Sequence, residues 1–399
     1  MTNLTQSMTI IDQLLHLGST RFVISPGSRS TPLTVAAARN PGITTTVHYD
    51  ERGAAFFALG HAKATGKPAV LICTSGTAVA NYFPAIIEAS MDNIPLIVLS
   101  ADRPPELIDV GANQAIFQEN IYGSYPRLAL NLPPPEADSA SEETLSIIED
   151  IYSAATEGRP GPVHLNCQFR EPLLPETDVL PADREIYLGP EKRLDSTSPI
   201  MPQTQIDLIN EKLNAVSKGL IVVGRSVSSL HDEVILEMAT SLGWPIFPDI
   251  QSKLRFSHHP NLIPHYDLGL LRSEASIQSP EMVIHLGGAF TSKRLLQFLD
   301  NEDIYYLSIK ETSERIDPNH QLDLAIQADP SAFCHSLQVN DGSTDPEWLA
   351  FWQKSESKIA QAIDHEFESN QELSEPSVSF HLSKLAPEKS SLMLANSMS

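Results

Sequence analysis

The chain has 399 residues, of which 41% are hydrophobic and 19% charged, enough to fill two to three domains at roughly 100–200 residues each. Its formal net charge is −23, from 27 Lys and Arg against 50 Asp and Glu, and such a surface repels nucleic acid and anionic membranes. The three cysteines, Cys73, Cys167 and Cys334, are too far apart to indicate a disulfide framework or a zinc site. This cysteine usage fits a reducing compartment, and we expect a cytoplasmic protein.

The N-terminus, MTNLTQSMTIIDQLLHLG, lacks a basic region and a long apolar core, so it does not resemble a signal peptide. No apolar stretch reaches the length of about 18 residues that a membrane span needs. We therefore expect small-molecule ligands, with no membrane span and no nucleic-acid partner.

Residues 1–180 alternate short apolar runs with helical patterns such as GAAFFALGHAKATG. The runs are RFVIS (21–25), TTTVHY (44–49), PAVLICT (68–74), IPLIVLS (94–100) and PVHLNC (162–167). Each is typical of a strand buried on both faces, and the alternation predicts a parallel sheet covered by helices. Ligands of such sheets bind at the carboxyl ends of the strands. Polar clusters fall at those ends: SPGSRS, DERG, TSGT and ADRPPE.

A segment rich in proline and charge follows, and we place a linker at residues 181–202. A second α/β domain is predicted over 203–338. Its expected strands are GLIVVG (219–224), WPIFPDI (244–250), MVIHLGG (282–288) and DIYYLSI (303–309), with an amphipathic helix, SSLHDEVILEMATSLG, after the first.

Residues 339–399 begin with a polar helical pattern, EWLAFWQKSESKIAQAIDHEFES, and end in an apolar run, LMLANSMS. A strand of that kind needs neighbours on both sides. We therefore expect a linker helix and the first strand of a truncated third domain.

The SPGSRS turn (25–30) closes a strand and opens a helix, with Ser28 or Ser30 as a potential cap. Free N–H groups at a helix start and the cation of Arg29 favour an anionic ligand. A plain turn with a solvated Arg29 is an equally good interpretation.

The ADRPPELIDVGANQA segment (101–115) is a loop stiffened by two prolines. It suits a substrate-facing Arg103, although an ion pair of Arg103 with Asp102 or Glu106 is an alternative. Asn113 and Gln114 could bind a ligand or cap the turn.

In the second domain, Lys293 and Arg294 lie near a predicted helix start, where their charges oppose the helix dipole. That position indicates full solvation or a nearby anion. His48 and His265 are isolated histidines for which packing is the simpler role.

One pattern imitates a metal site. Asp341-Gly342-Ser343 followed by Asn370 loosely resembles a Gly-Asp-Gly…Asn magnesium motif, but the first Gly is Asn340 and no apolar strand precedes it. We predict no metal ligands within the chain.

Four strings together resemble one family: SPGSRSTPLT, HYDERGAAFFALG, CTSGTAVANYFPAIIEA and ADRPPELIDVGANQAI. It is the thiamine-diphosphate-dependent 2-succinyl-5-enolpyruvyl-6-hydroxy-3-cyclohexene-1-carboxylate synthase family of menaquinone and phylloquinone biosynthesis. The resemblance implies a pyrimidine-binding domain at 1–180, a central domain at 203–338 and the start of a diphosphate-binding domain at 339–399.

The resemblance also implies a role for Glu51. In thiamine enzymes a glutamate at the end of the second strand hydrogen-bonds N1′ of the aminopyrimidine. Enclosure by Ala54, Ala55 and Phe56 would favour a protonated, donating carboxyl. The alternative is a Glu51 that pairs with Arg52 and stabilises the helix dipole.

By resemblance, the enzyme is a transferase that decarboxylates 2-oxoglutarate and adds the succinyl carbanion to isochorismate. The resemblance implies substrate contacts from Ser28, Arg29, Arg103, Asn113, Lys293 and Arg294. It also implies cofactor contacts from Glu51, Thr77 and Gln114. The residues that hold Mg²⁺ or Mn²⁺, the diphosphate and 2-oxoglutarate are expected beyond Ser399, so we expect the chain alone to be inactive. A homodimer or homotetramer is implied.

Two other functions remain open from the residues alone. One is another thiamine-diphosphate carboligase, such as an acetohydroxyacid-synthase relative, which would use Glu51 but not Arg103 or Arg294. The other is a non-catalytic module that binds an anion.

Overall fold

A computed structural model of the chain describes residues 1–136, 141–175, 201–225, 232–271, 277–338, 344–369 and 372–392. The chain divides into two compact units, one comprising Met1–Thr197 with Thr312–Glu314, the other Ser198–Glu311 with Arg315–Ser399. The predicted linker at 181–202 lies outside the described residues up to residue 200. So do the terminal strand from residue 393 and the rejected metal motif. The domain boundaries stay a prediction.

The first unit contains a six-stranded sheet in the order β2-β1-β3-β4-β6-β5, and every pairing in it is parallel. The strands are β1 (Arg21–Ile24), β2 (Thr44–Val47), β3 (Ala69–Cys73), β4 (Leu96–Asp102), β5 (Leu128–Leu132) and β6 (Pro162–Gln168). The helices are α1 (Asn3–His16), α2 (Thr31–Ala38), α3 (Glu51–Thr65), α4 (Thr77–Asn81), α5 (Phe83–Asp92) and α6 (Ser141–Thr156).

Alternation along the strands builds a core on each face of this sheet. In β1, Phe22 and Ile24 join the cluster that includes α1, α2 and α6, whereas Val23 joins the cluster with α3, α4 and α5. Because both faces are covered, β3, β4 and β6 are buried along their whole length. The predicted parallel α/β architecture is confirmed.

One strand differs from its prediction. The apolar pattern predicts a β2 that is buried on both faces, but three of its four residues are exposed. The reason is its place at the edge of the sheet, next to β1 alone. In addition, α1, β5 and α6 are elements that the sequence analysis does not predict.

The second unit contains a five-stranded parallel sheet in the order β11-β10-β9-β7-β8. The strands are β7 (Gly219–Val223), β8 (Ile246–Pro248), β9 (Met282–Leu286), β10 (Tyr305–Lys310) and β11 (Leu324–Gln327). The helices are α7 (Gln203–Ala215), α8 (Asp232–Leu242), α9 (Tyr266–Gly269), α10 (Lys293–Phe298), α11 (Pro330–Ser336), α12 (Pro346–Ser369) and α13 (Glu375–Leu385). The four predicted strands are present, and β11 is an additional one.

The long helix α12 contributes to the core of this unit, although its sequence pattern is largely polar. Trp348 and Trp352 are 3% and 1% exposed. Both belong to the apolar cluster that includes Phe247 and Tyr266, and the Trp348 indole N–H donates to the Gly219 carbonyl at 2.7 Å. Among the described residues, neither this helix nor any other combines the length and apolar character needed to cross a bilayer.

Candidate active site

The polar loops predicted to form a site all follow strands of the first sheet. Because β2, β1, β3 and β4 are parallel neighbours, their carboxyl ends meet at one edge. The loops after these strands carry SPGSRS, the Asp50–Glu51 pair, TSGT and Arg103. The sheet topology therefore brings most of the predicted site residues to one edge of the first unit.

Glu51 is the first residue of α3 and is half-buried. The helix cap is its neighbour Asp50, whose carboxylate accepts from the Gly53 N–H at 3.0 Å. That hydrogen bond holds the pKa of Asp50 below its ordinary value. Within the described residues, no ion pair joins Glu51 to Arg52, so that part of the alternative is not found. Glu51 does lie in the first turn of α3, where a carboxylate stabilises the helix dipole.

The surroundings of Glu51 are only partly those expected. Ala54 and Ala55 are fully buried, but Phe56 is 43% exposed and does not complete an apolar wall in the single chain. Burial raises the pKa of the Cys73 thiol at the end of β3, and the charge of the nearby Glu51 carboxylate raises it further. Glu51 therefore interacts electrostatically with the end of β3.

His48 packs against the start of α3. A Cβ atom at Gly53 would lie 2.4 Å from the His48 Cε1 atom, and the Asp50 N–H donates to His48 Nδ1 at 3.3 Å. These contacts are consistent with the packing role expected for this histidine.

Arg29 is buried, with 7% of the residue exposed. Its backbone N–H donates to the Thr74 hydroxyl at 3.2 Å, and its guanidinium donates to the Phe169 carbonyl at 3.0 Å. A second guanidinium nitrogen pairs with the Glu171 carboxylate at 3.2 Å. The alternative of a solvated Arg29 is therefore wrong.

The turn before α2 differs from its prediction at the cap. Ser30 occupies the cap position, but its hydroxyl makes no capping bond and donates to the Gly27 carbonyl at 3.0 Å instead. Ser28 is exposed and does not cap the helix either. Gly27 is required here because a Cβ atom would lie 2.2 Å from the Thr74 Cβ atom.

Arg103 is half-buried, and its guanidinium donates to the Ser75 hydroxyl. The predicted alternatives, side-chain pairs with Asp102 or Glu106, are not found among the described residues. Asp102 instead accepts from the Arg103 backbone N–H at 2.7 Å, and Glu106 pairs with Arg170 at 2.7 Å. Burial lowers the pKa of Arg103.

The Ser75–Gly76 turn connects several predicted site residues. The Gln114 side chain donates to the Ser75 carbonyl at 3.0 Å, and Thr77 is exposed at the start of α4. Gly76 has φ +87°, and a Cβ atom there would lie 2.9 Å from Gln114 Cγ. Arg103 and Gln114 therefore both contact this turn, whereas Asn113 is exposed and makes no hydrogen bond to the turn among the described residues.

A buried hydrogen-bond network supports this turn from below, and the sequence analysis does not predict it. Gln118 accepts from the Gly76 N–H at 2.8 Å and donates to Asn166 at 2.8 Å. Asn166 donates to Asp102 at 2.9 Å and accepts from Ser100 at 2.9 Å. Asn166 interrupts the apolar alternation of β6, and that interruption is the signal that could have identified it.

His164 ends this network in a defined protonation state. The single hydroxyl proton of Ser100 goes to Asn166, so His164 Nε2, 2.7 Å from Ser100 Oγ, must carry a proton and donate. Burial lowers the pKa of His164 to about 4, and the ring is neutral at pH 7.

Lys293 and Arg294 belong to the second unit, at the start of α10, which Ser292 caps by accepting from the Leu295 N–H at 3.0 Å. Arg294 pairs with Asp267, and Lys293 is exposed. His265, the other histidine for which packing is the simpler role, forms a hydrogen bond with the Glu356 carboxylate of α12 at 2.6 Å.

The donor set at the first-unit edge fits an aminopyrimidine better than a metal ion. The half-buried carboxyl group of Glu51 can hydrogen-bond a ring nitrogen. The Ser75–Gly76 turn, Thr77 and Gln114 add neutral polar groups. No group of three or more His, Cys, Asp or Glu residues suited to a metal ion occurs in the part of the chain that the structure describes.

Comparison with known proteins identifies the family. Residues 4–122 match the family "Thiamine pyrophosphate enzyme, N-terminal TPP binding domain", and residues 197–394 match "Middle domain of thiamine pyrophosphate". A 2-succinyl-5-enolpyruvyl-6-hydroxy-3-cyclohexene-1-carboxylate synthase from Chlorobium phaeobacteroides (strain BS1) is 41% identical, covering 98% of this chain and 68% of that protein. The chain belongs to this synthase family.

Two further members give the same result. The synthase of Rubrobacter xylanophilus is 37% identical and that of Salinibacter ruber 36% identical. The alignments cover 98% of this chain in both cases, and 69% and 68% of those proteins. The resemblance carried by the four sequence strings is confirmed, and with it the membership of the thiamine-diphosphate enzymes.

Proposed function

We propose that the protein acts as a 2-succinyl-5-enolpyruvyl-6-hydroxy-3-cyclohexene-1-carboxylate synthase, a transferase of menaquinone or phylloquinone biosynthesis. Its substrates would be 2-oxoglutarate and isochorismate. The observation that carries the proposal is the 41% identity to a synthase over 398 residues, together with a half-buried Glu51 at the strand ends. The acetohydroxyacid-synthase-like and non-catalytic alternatives have no comparable support.

Different residues of the chain would bind the cofactor and hold a proton on it. Thiamine diphosphate, when bound, supplies the electron sink for loss of carbon dioxide from a 2-oxo acid. Glu51 would hold a proton at N1′ of the aminopyrimidine. Thr77, at the turn that follows β3, and Gln114, in the loop that follows β4, would contact the same cofactor.

Cationic side chains are needed because both substrates are dianions and the chain itself carries a net charge of −23. Arg29 and Arg103 would pair with carboxylates of isochorismate, since a guanidinium offers two parallel donors to one carboxylate. Ser28 and Asn113 would add hydrogen bonds from the loops that carry these arginines. In the second unit, Lys293 and Arg294 are proposed as further carboxylate ligands.

The proposal includes a homodimer or homotetramer, Mg²⁺ or Mn²⁺ as the ion that accompanies the diphosphate, and a cytoplasmic location. Support for association comes from exposed apolar side chains of β2, of the loop after it and of α3. Val47, Tyr49, Phe56 and Phe57 are 57%, 88%, 43% and 46% exposed in the single chain. Large exposed apolar side chains are typical of a surface that another subunit covers.

The role of Glu51 is testable by Glu51→Gln. In a protein extended by the diphosphate-binding domain that the resemblance implies, we expect exchange of the thiazolium C2 proton of bound thiamine diphosphate, followed by NMR in deuterated buffer, to slow by about 10²–10⁴-fold. Cofactor affinity, measured by calorimetry, should change far less, because the amide keeps the shape of the carboxyl.

Glu88→Gln is the matched control, since Glu88 is exposed on α5 of the same unit. It should leave the exchange rate unchanged. Unchanged exchange in Glu51→Gln would remove the proton-holding role and with it the proposed mechanism.

A further inference from the structure

Four charged residues interact at the proposed substrate site: Arg29, Arg103, Asp102 and Glu171. Arg29 pairs with Glu171 at 3.2 Å. Burial is the main cause of the lowered pKa of Arg103. The charge of Arg29 lowers this pKa further, whereas the charges of Asp102 and Glu171 raise it. Two positive and two negative formal charges cancel, so the cluster has no net attraction for a dianion as it stands.

The two carboxylates differ in how firmly they are held. Asp102 is 2% exposed, and its oxygens accept from the Arg103 N–H at 2.7 Å and from Asn166 at 2.9 Å. The Glu171 side chain is 73% exposed, although the guanidinium side chain that it contacts is only 8% exposed. Asp102 is therefore fixed, whereas Glu171 reaches Arg29 from the solvent side.

Loss of the Glu171 contact would leave Arg29 in place. The guanidinium also donates to the Phe169 carbonyl at 3.0 Å, and the Arg29 backbone N–H is bound to Thr74 at 3.2 Å. An exposed carboxylate is held weakly because water competes for it. A carboxylate from solution can thus take the place of Glu171 without any movement of the arginine.

We propose that Glu171 competes with the substrate for Arg29: its carboxylate pairs with the Arg29 guanidinium until a carboxylate of the anionic substrate displaces Glu171. Its departure leaves two guanidiniums facing the single charge of Asp102, which creates attraction for the dianion only as the dianion binds. Glu171 thereby sets the affinity of the site for isochorismate. The inference rests on the proposed function, which makes this edge the isochorismate site.

The test is a calorimetric titration of the protein with isochorismate. Glu171→Gln keeps the shape of the side chain but removes the competing charge, so we expect Kd to fall by about three- to tenfold. Glu106→Gln is the matched control, because Glu106 pairs with Arg170, the residue next to Glu171 in the chain. That variant should bind like the unmodified protein.

A third variant separates the inference from the proposed function. Arg29→Lys keeps the charge but loses the paired donors, and it should weaken binding both alone and when combined with Glu171→Gln. Circular dichroism verifies that each variant is folded.

The outcomes are distinct. Equal or weaker binding by Glu171→Gln, with binding still sensitive to Arg29→Lys, would overturn the competitor role and leave the proposed function standing. Absence of isochorismate binding in both the unmodified protein and Glu171→Gln would overturn both.

Discussion

Two glycines, Gly27 and Gly76, allow loops of the candidate site to pack closely against each other. Gly27 lets the loop after β1 touch Thr74 at the end of β3, and Gly76 adopts a positive φ beneath Gln114. The sequence shows the small-residue turns. It does not show which partner each glycine faces, because those partners are distant in the chain.

Gly27→Ala tests the closest of these approaches. The new Cβ would lie 2.2 Å from Thr74 Cβ and 2.4 Å from its Cγ2 atom. We expect a loss of about 1–3 kcal/mol in the free energy of unfolding, measured by urea denaturation.

Gly60→Ala is the control for that measurement. Gly60 lies inside α3, and a Cβ atom added there would meet nothing within 4 Å beyond its own helix backbone, so alanine should stabilise the helix by up to about 1 kcal/mol. Equal effects of the two substitutions would contradict the packing argument at Gly27.

Among the elements, α12 shows how a helix can be misjudged by its composition. Its 24 residues include enough charge to suggest a solvated linker helix, and only the fold shows that Trp348 and Trp352 enter the core of the second unit. The boundary predicted at residue 338 remains a prediction. The packing of α12 is a property of the second unit that periodicity alone does not reveal.

The two tryptophans make a matched pair for mutation to Phe. Trp348→Phe loses packing and also the 2.7 Å hydrogen bond to Gly219. The Trp352 indole nitrogen has no partner among the described atoms, so Trp352→Phe loses packing alone. We expect Trp348→Phe to cost about 1 kcal/mol more in free energy of unfolding, by chemical denaturation. A larger loss in Trp352→Phe would show that the hydrogen bond contributes little.

Across the whole molecule, each of the two units buries a neutral histidine within its sheet. Burial lowers the pKa of His164 in the first unit and of His285 in the second to about 4. His285 also has both nitrogens occupied, by the Gly288 carbonyl at 2.9 Å and the Tyr306 hydroxyl at 3.0 Å. Protonation of either ring would therefore disturb a buried hydrogen-bond arrangement.

These shifts predict a pH dependence of stability. The unfolded chain takes up a proton on each histidine below its ordinary pKa of 6.5, whereas the folded chain does so only near pH 4. The contribution of the two neutral histidines to the free energy of unfolding is complete above pH 6.5 and is lost as the pH falls toward 4. For each histidine, the free energy of unfolding falls by up to about 1.4 kcal/mol per pH unit in this range.

Denaturation at several pH values between about 4 and 7 measures this slope. His164→Gln and His285→Gln should each reduce the slope of the free energy of unfolding against pH by the contribution of one histidine. An unchanged slope in both variants would assign the acid sensitivity to the carboxylates instead.

The amino-acid order was sufficient to establish the parallel α/β class, nine of the eleven described strands, the family and the loops of the candidate site. These features are local: apolar runs, small-residue turns and long motif strings are all recognised within a few neighbouring positions. Three others emerged from the folded chain only: β2 is an exposed edge, Glu171 occupies Arg29, and Gln118 and Asn166 hold the Ser75–Gly76 turn. Each of these depends on strand order, which brings together residues that lie far apart in the chain and that no local pattern relates.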